Sequence, residues 1–183
     1  GQLSAVVVGG GAENQPEHWN AEQRRLDALR SELGVREAVR FVGARSQEQL
    51  ALFYSAADVV TMPSHYESFG MAALEGLACG RPVVATNAGG PAFIVEHGVS
   101  GLHTPPDDPQ TLATQLERLL DNDRLRTSMG AAARQRAQRF GWQAVAGDIL
   151  QVYDATREAA TLCRALELPS RLAIPAPLAL ESR

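Results

Sequence analysis

The chain has 183 residues, 45% of them apolar and 21% charged, which is enough apolar surface for a core and excludes a disordered polyelectrolyte. Its 17 basic residues against 21 acidic ones give a net charge of −4, so no general attraction for nucleic acid or anionic lipid follows. Every basic residue is arginine, and phosphate recognition must therefore rely on Arg or on backbone N–H groups.

In chain order, Leu3 to Val8 is a β-branched apolar run closed by Gly9-Gly10-Gly11, which reads as a buried strand entering a turn. Trp19 to Leu33 predicts a helix with its apolar face on Trp19, Leu26, Leu29 and Leu33, capped by Gly34. Val39 to Val42 is the next strand, Ser46 and Gln49 offer a capping box for a helix to Ala56, and Asp58 to Met62 is a strand stopped by Pro63. A helix from Ser68 to Cys79, a strand from Pro82 to Thr86, a short helix from Ala92 to Glu96 and a strand at Gly101 to His103 follow. Pro109 to Leu120, Asp123 to Phe140 and Trp142 to Ala160 then read as three consecutive helices.

This alternation predicts an α/β fold with a doubly wound parallel sheet of up to five strands over residues 1–160. Pro169, Pro175 and Pro177 mark 161–183 as an extended tail. Ligands of such sheets bind outside the carboxyl ends of the strands, here the loops around Gly9 to Gly11, Gly43 to Ser46, Pro63 to Gly70 and Thr86 to Pro91. Cys79 and Cys163 make no disulfide framework and no zinc spacing, and the apolar setting of Cys79 suits a reduced cytoplasmic thiol. No apolar run reaches the roughly 18 residues of a membrane span, and no secretory signal is visible. His18, His65, His97 and His103 lack metal-ligand spacing, and His65 is the one expected near the site. Gly9-Gly10-Gly11 lacks the spaced third glycine and following acidic residue of a dinucleotide fingerprint.

The stretch from Pro63 to Gly80 carries the chemistry. Glu67 and Glu75 are eight residues apart, a helical rise of about 12 Å at 1.5 Å per residue, which lets two carboxylates grip the ends of an elongated polar ligand. Between them the N–H groups of Phe69, Gly70 and Met71 face whatever lies over the helix N-terminus, and phosphate is the natural guest. A nucleoside diphosphate sugar has this layout. Ser64-x-x-Glu67 equally matches a capping box, and Glu75 could be a solvent-facing helix residue, although a carboxylate within Ala72-Ala73-Leu74-Glu75-Gly76-Leu77-Ala78 calls for a partner.

Glu67-x7-Glu75 enclosing Ser68-Phe69-Gly70, followed by Gly80 to Thr86 and Gly89-Gly90, resembles the C-terminal, donor-binding domain of retaining glycosyltransferases of the GT-B fold. The relatives are family 4, or group 1, which includes sucrose and sucrose-phosphate synthases and the mycothiol-pathway glycosyltransferase. The resemblance runs from residue 3 to about 157, through Phe140-Gly141-Trp142 and Val152-Tyr153. It implies that Glu67 is the catalytic carboxylate, bonded to donor-sugar hydroxyls and supporting an oxocarbenium-like transition state. It implies ribose hydroxyls for Glu75, sugar and diphosphate for Ser68, Phe69, Gly70 and Met71, and the base for Arg45. No metal or other cofactor is implied. Asn87 to Ala92 is similar to the sucrose synthase branch, which favours UDP-glucose as donor, with GDP- or ADP-sugars as alternatives.

The family's Arg and Lys that hold the diphosphate have no match here, and Leu3 to Val8 resembles the family's second strand. The expectation is a domain without its first, central strand, inactive without the acceptor-binding N-terminal domain, whose open edge invites self-association. A non-catalytic nucleotide-sugar-binding or assembly module is the alternative; a GT-B-fold epimerase fits Ser68-Phe69-Gly70 less well.

Overall fold

The computed structural model describes residues 3–12 and 16–165, and the chain divides into two compact units, Gly1–Ala56 and Ala57–Arg183. The first contains β1 (Ala5–Val7), β2 (Gly9–Ala12), a 3-10 turn (Pro16–His18), α1 (Ala21–Glu32), β3 (Val39–Gly43) and α2 (Gln47–Ala56). Its sheet has the order β1-β3-β2, with β1 parallel to β3 through Ala5–Val39 and Val7–Phe41. The glycine triplet, expected as a turn, instead forms β2, antiparallel to β3 with Gly9 opposite Gly43 and an irregular register. The cause is Gln23: its side-chain amide accepts from the Gly11 N–H at 3.0 Å and donates to the Gly11 carbonyl at 2.9 Å, standing in for a neighbouring strand. Gly10 has φ 60°, a conformation that favours glycine, and a Cβ there would displace that amide.

Asn20 caps α1 by accepting from the Gln23 N–H at 2.8 Å, which moves the helix start from Trp19 to Ala21. The expected apolar face is also displaced. Leu29 and Leu33 are exposed, and the side chains that α1 buries are Gln23 and Arg30. Arg30 is 5% exposed because it is fully engaged: it donates to Asp27 at 2.7 Å and to the Val39 carbonyl at 2.6 Å, and lies 4.6 Å over the Phe41 ring. Burial opposes ionisation of Asp27, but bonds from Arg30 and Arg36 outweigh it and hold the carboxyl below its usual range. Arg30→Ala is expected to destabilise the chain by about 3 kcal/mol, since it leaves the part-buried Val39 carbonyl without this donor and removes one partner of Asp27. Urea denaturation measures this; a midpoint unchanged from wild type would show that the buried guanidinium contributes nothing.

The second unit contains β4 (Val60–Met62), α3 (Met71–Ala78), β5 (Val83–Thr86), α4 (Gly89–Ile94), β6 (Gly101–Thr104), α5 (Pro109–Leu120), α6 (Asp123–Gln138) and α7 (Trp142–Ala165). Its sheet is wholly parallel, in the order β4-β5-β6. The central strand β5 is buried on both faces, as a continuous Val-Val-Ala-Thr run predicts. Val83 and Ala85 join Met62, Ala73, Leu77 and Ile94 in one core, whereas Val84 joins Leu102, Leu119 and Met129 in another. Helices thus cover both faces, and the fold is α/β and Rossmann-like. The strands fall into two three-stranded sheets, one in each unit.

Helix boundaries in this unit also differ from expectation. Gly70, at φ 100°, cannot continue a helix, so α3 begins at Met71 and not at Ser68. Helix α4 begins at Gly89, three residues earlier than expected, because Pro91 sits in its first turn, where a missing N–H is harmless. Helix α7 continues past Ala160 to Ala165, and the rest of the expected tail lies outside the described residues.

Candidate functional site

The loops that leave the carboxyl ends of β4, β5 and β6 are tied together. The Thr86 hydroxyl donates to the Ser64 carbonyl at 2.6 Å, the Gly90 N–H donates to the Glu67 carbonyl at 2.8 Å, and the Asn87 N–H donates to the Thr104 carbonyl at 2.8 Å. His65 Nδ1 lies 3.0 Å from Asp107 Oδ1, which joins the first loop to the third. Asp107 has φ 56°, the one positive φ at a non-glycine among the described residues. Hydrogen bonds from Thr111 hold the neighbouring Asp108 carboxyl low as it caps α5. On β6, burial, aided by the neighbouring His97, pushes His103 below its usual value.

Glu67 lies in the loop before α3. Its Oε1 accepts from the Phe69 N–H at 3.3 Å and from the Gly70 N–H at 3.2 Å. The Ser64 capping box does not form, since the N-cap of α3 is Gly70, without a side-chain cap bond. The 12 Å helical rise expected between Glu67 and Glu75 also does not apply, because residues 67–70 are not helical. Two of the three N–H groups expected to await a ligand are occupied by Glu67 itself, through bonds at the long end of the range that a ligand oxygen can replace. The unit therefore brings together Glu67, Ser68, Phe69, Gly70 and Met71 at the amino end of α3, with Glu75 half-buried farther along the helix.

Arg45 belongs to the other unit, on the loop after β3. It is exposed, donates to the Ala44 carbonyl at 2.9 Å, and lies 5.9 Å from the Phe53 ring. The sequence reading missed the contribution of Gly89 and Gly90. A Cβ on Gly89 would lie 2.2 Å from the Glu67 carbonyl oxygen, and one on Gly90 would lie 2.0 Å from that of Phe69. The available signal was a Gly-Gly-Pro directly after a strand.

Residues 1–136 match the model of the family described as glycosyl transferases group 1. The chain belongs to the group 1 glycosyl transferases. Among relatives of this family, the D-inositol 3-phosphate glycosyltransferase of Corynebacterium jeikeium is 43% identical over 84% of this chain and 36% of its own length. That of Frankia alni is also 43% identical, over 83% of this chain and 36% of its own. The chain therefore spans a little over a third of the length of these relatives. Sucrose-phosphate synthase from Thermosynechococcus elongatus superposes with a TM-score of 0.72 at 39% identity, covering 87% of this chain and 39% of that one. HepE from Anabaena, solved in complex with UDP and glucose, gives 0.72 at 29% identity over 85% of this chain and 41% of its own. The recognised resemblance is thus correct at the level of family and of fold. Among the described residues of this group 1 chain, no helix is long and apolar enough to cross a membrane.

Proposed function

We propose that this chain is the donor-binding part of a retaining glycosyltransferase that moves a sugar, glucose by preference, from UDP to an acceptor hydroxyl. The observation that carries the reading is the Glu67 carboxylate held by the Phe69 and Gly70 N–H groups at the amino end of α3. A fixed anion there stabilises the positive charge that develops on the anomeric carbon as its bond to the diphosphate oxygen lengthens. The helix N-terminus favours the negative charge gathering on the leaving diphosphate. Ser68 and Met71 complete the rim toward the sugar and diphosphate, and Glu75 takes the ribose hydroxyls.

UDP bound to the homologous HepE supports the choice of nucleotide. Acceptor recognition and turnover belong to the remainder of the full-length protein, and the chain by itself is expected to bind donor without transferring sugar. Calorimetric titration with UDP, GDP and ADP tests the reading. The expected result is selective binding of UDP, weakened at least about ten-fold in Glu75→Ala, the loss of one charge-assisted hydrogen bond. A folded chain that binds none of the three would overturn it in favour of an assembly module.

A further inference from the structure

The end of α6 reaches the same loop by a route the proposed function does not use. Phe140, just beyond α6, sets its ring edge-on to Phe69, with centroids 6.3 Å apart at 80°, and edge-on to Phe93, at 5.9 Å and 87°. Arg136, one turn earlier, donates to the Ile94 carbonyl at 3.0 Å and to the Phe93 carbonyl at 2.7 Å, and its guanidinium lies 5.8 Å from the Phe140 centroid. Its remaining nitrogen lies 3.4 Å from Glu96. These contacts satisfy carbonyls at the end of α4, whose first turn already holds the Glu67 carbonyl through the Gly90 N–H. The loop that carries the N–H donors is therefore gripped twice, once through its backbone by Gly90 and once through the Phe69 ring by Phe140. Phe69 is 42% exposed, and Phe140 is its aromatic neighbour among the described residues.

We propose that Phe140, seated by Arg136, is a positioning residue for nucleotide-sugar binding: by fixing the Phe69 ring it orients the Phe69 and Gly70 N–H groups toward the donor. The inference rests on the proposed donor site. Packing of the Phe69 ring on Phe140 restrains the Cβ that carries it and so the position of the Phe69 backbone, and a shift of a few tenths of an ångström there is enough to misalign hydrogen bonds already 3.2–3.3 Å long. Because Arg136 holds two carbonyls with a planar fork, lysine cannot replace it even with the charge kept.

The test is a double-mutant cycle on this chain with Phe140→Leu, Phe69→Leu and both together, read as UDP-glucose affinity by calorimetry and as the backbone amide signals of Phe69 and Gly70 by NMR. Phe140→Leu is expected to weaken binding about ten-fold and to shift the Gly70 amide, and to have little further effect once Phe69 is Leu. Phe140→Tyr keeps the edge-on ring and is expected to restore binding and amide positions; Arg136→Lys is expected to behave as Phe140→Leu does. Wild-type affinity and unmoved amides in Phe140→Leu would overturn the proposal, as would additive losses in the cycle. If the wild-type chain binds no UDP-glucose, the donor-site reading fails, and the amide shifts still decide whether Phe140 orients the loop. If Phe140→Leu does not fold, Arg136→Lys and Phe140→Tyr give the same decision.

Discussion

Glu67→Gln in the full-length protein is expected to lower kcat by about 10²–10³-fold while KM stays within a few-fold, the loss typical of one electrostatic group acting on the transition state. The substitution is chosen because Glu67 has two roles in the structure. Its Oε1 accepts from the Phe69 and Gly70 N–H groups, and a glutamine amide oxygen can accept from both as well. The loop is therefore kept and only the charge is removed. A carboxylate that merely organised the loop would let Glu67→Gln act as wild type, and steady-state kinetics giving that result would remove Glu67 from the chemistry. Glu67→Ala removes charge and acceptor together and is expected to raise KM as well. Comparing the two separates transition-state stabilisation from loop geometry.

Much of this architecture is legible in the sequence, and the exceptions have definite causes. The β/α alternation after Asp58 is readable because β5 is a continuous apolar run and the later helices keep an apolar period. The face of α1 is not, because periodicity counts Leu29 and Leu33 as buried, whereas Gln23 and Arg30 go inside once hydrogen bonds to Gly11, Asp27 and Val39 satisfy them. The start of α3 is not, because a positive φ at Gly70 cannot be told from the sequence from a glycine at the head of a helix. Residues 67–75 identify the acidic pair and the N–H donors. That the first carboxylate folds back onto those donors depends on a loop conformation set by α4, which is distant in no one's pattern but Gly89-Gly90-Pro91.

Those glycines carry an effect on stability and on binding together. Gly90→Ala is expected to destabilise the fold by about 3 kcal/mol and to abolish UDP binding, because the new Cβ would lie 2.0 Å from the Phe69 carbonyl oxygen and 2.4 Å from its Cα. Both are backbone atoms, so no rotamer change relieves the overlap, and α4 or the loop must move. Movement of either breaks the Gly90 N–H bond to Glu67 and displaces the donors at Phe69 and Gly70. Gly147→Ala is the matched control. It lies within α7, a Cβ there meets nothing within 4 Å, and alanine is expected to add about 0.5–1 kcal/mol through helix propensity. Denaturant midpoints for the two variants should thus move in opposite directions. Equal midpoints for Gly90→Ala and wild type would mean that the Gly90 contact yields freely, and the close approach of α4 would then not be what shapes the Glu67 loop.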